Sequence, residues 1–333
     1  MRGVEVRERR RLDEVVHEDR VVPLVREWLC VAEGGPPIAV ERTVRASGAT
    51  GPTVVLVHGL AQNRFTWRVT GRSMCAWLAE RGFEVLNVEL RGHGLSRAWG
   101  APSAGAFSDY VDDLGRVVAR CEAPPFVIGH SLGGAVGIGV ATGHALRGLV
   151  HLAGVFGFAR ANRTLRALAR LTLAWEPALR AAPLRVRTRF AGHVIAQLYQ
   201  LTDVAGYGAP IAGWAPGSFE RERLAERLEL GFDWTSVEVW LQMSRWALGE
   251  EPAHAAAFRA LDLPLFVIAG DADPLVRPAD AEHTYASSGS TDKELLIFDA
   301  FDHQVHWGHL DLILGRLAPE EVWPRIGDWL SRR

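Results

Sequence analysis

Phe126-Val127-Ile128-Gly129-His130-Ser131-Leu132-Gly133-Gly134 decides how the rest of the chain is read. Its first three residues are a short apolar run of the kind a buried strand uses. Its last residues open a stretch of small side chains, Ala135-Val136-Gly137-Ile138-Gly139, which reads as a tightly packed helix. Between them G-x-S-x-G makes a sharp strand-to-helix turn. Such a turn lifts the serine hydroxyl above a sheet, and the glycines beside it tolerate the backbone crowding. The helix start leaves free N–H groups where negative charge can develop. The pentapeptide alone is a weak signal, and its weight comes from the strand before it and the helix after it. Ala123 to Leu146 carries no charged residue, but its glycines and two histidines argue against a membrane span.

Working outward, short apolar runs alternate with amphipathic stretches. Thr53–Val57, Glu84–Val88, Phe126–Ile128, Leu149–Ala153, Leu265–Ala269 and Glu294–Phe298 read as strands. Trp67–Glu80 and Phe107–Arg120 read as helices, and Val322, Trp323, Ile326, Trp329 and Leu330 mark one face of a last helix. This alternation predicts an α/β fold with a mostly parallel sheet covered by helices on both faces. Residues 156–257 break the pattern with helical spacing throughout, too long for a loop. The expected organisation is therefore an N-terminal extension with edge strands (1–45), a first half of the core (46–155), an inserted helical cap (156–257) and a second half of the core (258–333). Within 1–45 an edge hairpin is expected, turning at Glu33-Gly34-Gly35-Pro36-Pro37.

Composition narrows the function classes. The 333 residues are 48% hydrophobic and 23% charged, which excludes a disordered chain. The net charge of −2 gives no general pull toward nucleic acid. Cys30, Cys75 and Cys121 are odd in number and widely spaced, so neither a disulfide framework nor a zinc pattern emerges. A reduced, cytoplasmic setting is expected. Met1–Arg11 is charged and lacks the apolar stretch of a signal peptide. The cap opens with Arg160, Arg163, Arg166, Arg170, Arg180, Arg185, Arg187 and Arg189, opposed within that stretch by Glu176. This reads as a solvated face or as a basic rim toward acidic partners.

A serine hydroxyl needs a base, and the base needs an orienting acid. The acid is expected in Gly270-Asp271-Ala272-Asp273-Pro274, after the run Leu265–Ala269. Asp273 is the first choice and Asp271 the alternative. His303, His306 and His309 follow the last strand at intervals of three. That spacing does not place all three on one helical face, which weighs against a metal cluster. His309, in Gly308-His309-Leu310-Asp311, is the chosen base, with His306 in reserve. An oxyanion hole needs two donors. The N–H of Leu132, after the serine, and of Leu60, in His58-Gly59-Leu60 after the first core strand, are the natural pair. The side chain of His58 is read as loop packing. His130, Phe156 and Trp240 are expected in the substrate pocket. Trp175, Trp214, Trp234, Trp246, Phe158 and Tyr199 are shared between cap packing and that pocket.

These residues together resemble the α/β-hydrolase superfamily from about Glu41 to the C-terminus. The resemblance is carried by Val57-His58-Gly59-Leu60, Leu90-Arg91-Gly92-His93-Gly94-Leu95-Ser96, Gly129–Gly134, Gly270–Pro274 and Gly308–Asp311 in that order. The tail from Gly308 through Leu330, and more weakly Thr235-Ser236-Val237 with Trp240, resembles the acid-lipase and polyhydroxyalkanoate-synthase branch. Polymer synthases of that branch carry cysteine where this chain has Ser131, which favours hydrolysis over chain-building transfer. Glu89 stands two residues before Arg91, where the family often has aspartate nearby. The resemblance implies a serine hydrolase acting on a carboxylic ester of a small molecule, through Ser131, His309 and Asp273 and an acyl-enzyme, with no cofactor and no metal. A medium-chain or aryl ester is the expected substrate. Thioesterase, acyltransferase, C–C hydrolase and cofactor-free peroxidase chemistries share the fold. A non-catalytic scaffold and a lipid-surface binding protein are the non-enzymatic and interfacial rivals. A histidine base predicts activity that falls as pH drops through about 6.5. A kcat/KM profile that stays flat from about pH 5 to 8 would contradict it.

Overall fold

The computed structural model describes residues 1–158, 162–181, 213–233 and 236–333. Among the described residues eleven strands form one sheet, in the order β11-β10-β9-β8-β4-β7-β3-β2-β1-β6-β5. The central strands are β4 (Thr53–Val57), β7 (Glu84–Glu89), β8 (Phe126–His130), β9 (Gly148–Leu152), β10 (Leu265–Gly270) and β11 (Lys293–Phe298). All six run parallel. Three of them, β8, β9 and β10, are buried along their whole length and β4 and β7 at all but the first residue, which is why they read as largely apolar runs rather than as alternation.

The sheet divides the core into two layers, because alternate side chains point to opposite faces. Val54, Leu56, Ile128 and Ile268 pack with Trp77 and Leu78 of α1 (Met74–Glu80) and with Trp323, Ile326 and Trp329 of the last helix (Ala318–Ser331). Val55, Val57, Val127 and Val267 pack with Leu114 of α3 (Phe107–Val118) and with Ala135 and Val136 of α4 (Leu132–Ala141).

Two elements depart from expectation. The expected single N-terminal hairpin is two: β1 (Glu5–His17) turns back into β2 (Arg20–Val31) at Glu18, whose φ is +52°, and β2 turns into β3 (Ile38–Arg45). Strand β3 then pairs antiparallel with β7, so the extension widens the main sheet. The expected helix Trp67–Glu80 begins only at Met74. Gly71, at φ +73°, closes a small hairpin between β5 (Arg68–Val69) and β6 (Arg72–Ser73). The Ser73 hydroxyl then caps the helix by accepting from Ala76 N–H at 3.1 Å.

The N-terminal strands bring a buried carboxylate to the centre of an ion-pair group. Glu41 of β3 meets Arg68 at 2.7 Å, Arg26 at 3.5 Å and Arg64 at 3.7 Å. The arginines overcome its burial and hold its carboxyl down to about 2. Arg64 also reaches Glu89 at 3.0 Å. Glu89 accepts from Leu95 N–H at 2.7 Å and so caps α2 (Gly94–Ala98). The extension thus anchors the segment that follows the β4 loop, a role its sequence did not reveal.

In residues 156–257 the described elements are helical: α5 (Arg163–Ala174), α6 (Glu176–Ala181), α7 (Arg221–Gly231), α8 (Val237–Ala247) and α9 (Ala255–Ala260). Arg180 pairs with Glu176 and with Glu238 of α8, so part of the arginine-rich face is neutralised within the helical region. Arg160, Arg185, Arg187, Arg189, Tyr199, Trp234 and Thr235 lie outside the described residues. Among the described residues no helix is long and apolar enough to cross a membrane.

Five histidines are buried and held neutral. Burial pulls His58, His151 and His254 down to about 4, and His93 and His130 well below the usual value of 6.5. The unfolded chain takes up these protons at higher pH than the folded one. Their contribution is therefore complete above pH 6.5 and is lost as pH falls toward 4. Thermal unfolding across that window is expected to show Tm falling by at least about 5 °C. A constant Tm would contradict their neutral burial.

Candidate active site

The chain leaves β4 for β7 on one side and later places β8 on the other. Loops at the carboxyl ends of β4 and β8 therefore diverge around a crevice, the place where open α/β sheets bind ligands. Ser131 follows β8, and residues 58–63 follow β4. Ser131 has φ +55° and ψ −122°, a conformation that costs about 1–3 kcal/mol for a residue with a side chain. Surrounding bonds over-determine it. Its N–H donates to Leu152 O at 3.1 Å, and its carbonyl accepts from Gly134 and Val155, each at 2.9 Å.

Two glycines let the crevice close. A Cβ on Gly133 would collide with the Val57 carbonyl. A Cβ on Gly59 would sit 2.9 Å from the Cβ of Ser131. The β4 loop therefore lies directly against the serine turn. The N–H groups of Leu60 and Leu132 donate to no acceptor among the described residues. Between them the His58 ring is spent on packing. Its Nδ1 donates to Gly59 O at 2.9 Å, and its Nε2 accepts from Leu90 N–H at 3.2 Å.

His309 and Asp273 are both buried, with Nδ1 of the histidine 2.7 Å from Oδ2 of the aspartate. An ionised carboxylate only accepts, so the proton sits on Nδ1 and Nε2 is left as an acceptor. Oδ1 of Asp273 accepts from Leu275 and Val276 N–H at 2.8 and 3.0 Å, which fixes the carboxylate plane. His130 joins this pair to the serine turn. Its Nε2 donates to His309 O at 3.2 Å, and the two rings lie 4.5 Å apart. The two alternatives pair with each other instead: Asp271 Oδ2 meets His306 Nδ1 at 2.6 Å, with the His306 side chain 57% exposed. His303 accepts from Asp299 N–H through Nδ1. The three histidines thus take three separate partners and do not converge on one point.

Among the described residues the expected pocket trio takes three different settings. His130 is buried behind the serine, because its ring turns toward the His309 carbonyl and Trp67. Phe156 stacks near Phe258 and borders a cavity of about 350 Å³ with Trp246 and His283. Trp240 joins α8 to α5, its Nε1 donating to Thr172 Oγ1 at 3.3 Å, beside a small crevice with Leu165 and Met243. Among the other aromatics, Trp214 is buried in the core and Trp175 is largely exposed.

Several residues that sequence reasoning passed over tie the helical region to the two loops of the candidate site. Asp233 N–H donates to Ala61 O at 2.7 Å, and Asn63 Nδ2 donates to Leu230 O at 2.8 Å. Leu310 N–H donates to Gly213 O at 2.7 Å. Asp311 accepts from Ala215 N–H and Ser218 Oγ, both at 2.7 Å, and from Gly308 N–H at 2.5 Å. Its burial outweighs these bonds and pushes its carboxyl up to about 7. Asp311 was visible in the Gly308–Asp311 motif, but its part in holding the loop was not.

Comparison with known proteins agrees with this fold. The family model described as "Alpha/beta hydrolase family" matches residues 54–322, and the chain belongs to that family. Protein phosphatase methylesterase 1 of Bos taurus is 29% identical over 113 residues, 33% of this chain and 29% of its own length. The chain thus aligns with less than a third of the curated relative. An esterase from Exiguobacterium antarcticum superimposes with a TM-score of 0.58 at 16% identity, covering 91% of this chain and 98% of that one. A monoacylglycerol lipase from Paleococcus ferrophilus gives 0.59 at 16% identity, with 89% and 99% covered. At such identity the likeness is one of fold.

Asp311 supplies a test of the frame around His309. Its folded pKa is raised, so its contribution is complete below the usual 3.8 and is lost as pH rises through about 7. Asp311→Asn keeps acceptor and shape, and its Tm is expected to gain on that of the wild type as pH rises from about 5 to 8. Asp311→Ala leaves three donors unmatched and should cost on the order of 3 kcal/mol in denaturant unfolding. Equal pH slopes in wild type and Asp311→Asn would contradict the raised value.

Proposed function

We propose that this chain is a serine hydrolase that cleaves a carboxylic ester of a small molecule. Ser131 Oγ attacks the acyl carbon while His309 Nε2 takes its proton. Asp273 orients the imidazole and stabilises the imidazolium. The N–H groups of Leu60 and Leu132 hold the oxyanion, each worth about 3 kcal/mol by analogy with other serine hydrolases. His309 then returns the proton to the leaving alcohol, and water releases the acid by the same steps in reverse. This chemistry calls for no cofactor. We read residues 156–257 as a cap that shapes the acyl site.

One observation carries the reading: the buried Asp273–His309 pair is joined through His130 to a strained serine at the sheet's switch point. The similar proteins, a methylesterase, an esterase and a monoacylglycerol lipase, support ester chemistry as the class to test. Intact mass after fluorophosphonate treatment is the direct test. One adduct is expected on the wild type and none on Ser131→Ala. Asp273→Asn is expected to lower kcat on a p-nitrophenyl ester by about 10⁴-fold, since it stabilises the wrong tautomer, while Asp271→Asn should stay within a few-fold of wild type. No adduct on the wild type would overturn the proposal, and thioesters hydrolysed faster than esters would move it to thioesterase.

A further inference from the structure

Gln62 sits where the β4 loop meets α7, and its carboxamide is oriented from one side. Thr66 Oγ1 donates to its Oε1 at 2.9 Å, and Arg227 Nη2 donates to the same oxygen at 3.1 Å. A guanidinium has donors and no acceptor, so the amide oxygen must face Arg227 and Nε2 must point the other way. On that other side lies the nucleophile. Gln62 Nε2 and the Ser131 Cβ approach one common point, 3.4 and 2.9 Å from where a Cβ on Gly59 would stand. Gln62 is 5% exposed, and Nε2 has no acceptor among the described residues.

Arg227 is anomalous in its own right. It is buried, and no carboxylate among the described residues comes within ion-pair distance. Its Nη1 is buried with no hydrogen-bond partner among the described residues. The other buried arginines are paired, Arg26 with Glu14 at 2.6 Å and Arg72 with Glu220 at 2.8 Å. Burial alone pulls Arg227 down to about 9, which leaves it cationic at neutral pH. A buried charge without a counter-ion is destabilising. Its placement makes sense where negative charge appears during turnover, because preorganised charge and dipoles act strongly in a site shielded from water.

We propose that Gln62 is a third oxyanion donor: its Nε2–H, aimed by Arg227 and Thr66, bonds the oxygen that becomes negative when Ser131 attacks. Arg227 is the positioning residue, acting through Gln62 and adding its field. This rests on Ser131 being the nucleophile. No new bond is made or broken, and the interaction strengthens as charge develops.

Gln62→Glu separates this role from a structural one. A carboxylate in that place pairs with Arg227 and still accepts from Thr66, so folding is preserved while the N–H becomes a repelling acceptor. With a p-nitrophenyl ester, Gln62→Ala is expected to lower kcat at least about 10-fold, and Gln62→Glu further, with KM within about threefold. Tm of Gln62→Glu is expected to equal or exceed that of the wild type. Arg227→Met should lower kcat as Gln62→Ala does, and Arg227→Lys should restore part of the rate. The inference is overturned if both Gln62 variants keep kcat within twofold, or if the kcat losses simply track losses in Tm. Fluorophosphonate labelling of the wild type separates the two readings. An adduct together with unaffected Gln62 variants sinks only the third donor. No adduct sinks the nucleophile, and this inference with it.

Discussion

The close approach of two backbones is the constraint on which the rest depends. The β4 loop and the turn after β8 come so near that Gly59 and Gly133 cannot carry side chains. That contact puts the Leu60 N–H, the start of α4 and the Ser131 side chain around one crevice. It also forces the serine into a strained backbone, which three hydrogen bonds hold in place. The apolar strands behind it supply the rigidity. Val55, Val57 and Val127 are fully buried, so the ends of β4 and β8 cannot drift apart without opening the core.

Burial and geometry separate the candidates that spacing left open. Asp271 and Asp273 are two residues apart, and His306 and His309 three. Each combination is a possible acid–base pair on the page of the sequence. In the fold the four residues sort into a buried pair and an exposed one. The buried carboxylate is further fixed by two backbone N–H groups and Asp271 by one, from Trp307, while the His306 side chain faces solvent. Counting along a loop cannot show which aspartate turns inward, because that depends on where the next strand and helix stand.

The central strands were legible because parallel strands covered on both faces must be apolar throughout. The two errors have local causes. Gly71 and Ser73 interrupt what looks like one helix from Trp67, since the first closes a hairpin and the second caps the true helix start. Glu18 closes a hairpin that lacks any glycine or proline at the turn, so no punctuation marked it. The substrate trio is a different matter. Aromatic content says how much ring surface a helical insert holds, not whether it faces the crevice or the neighbouring helix, as Trp240 faces α5.

The polar residues missed by pattern reading share one location, the seam between the helical region and the two loops of the site. Asp233 and Asn63 bind across it at the β4 loop, and Asp311 binds across it beside His309. Two stretches of the helical region, residues 213–218 and 230–233, are therefore fastened to the loops of the candidate site. Helix α7 sets the orientation of the β4 loop, and residues 213–218 set that of the loop bearing His309. On the proposed mechanism, substitutions in this region should then alter the chemical step as well as substrate choice, since the proposed donors and base inherit their positions from it.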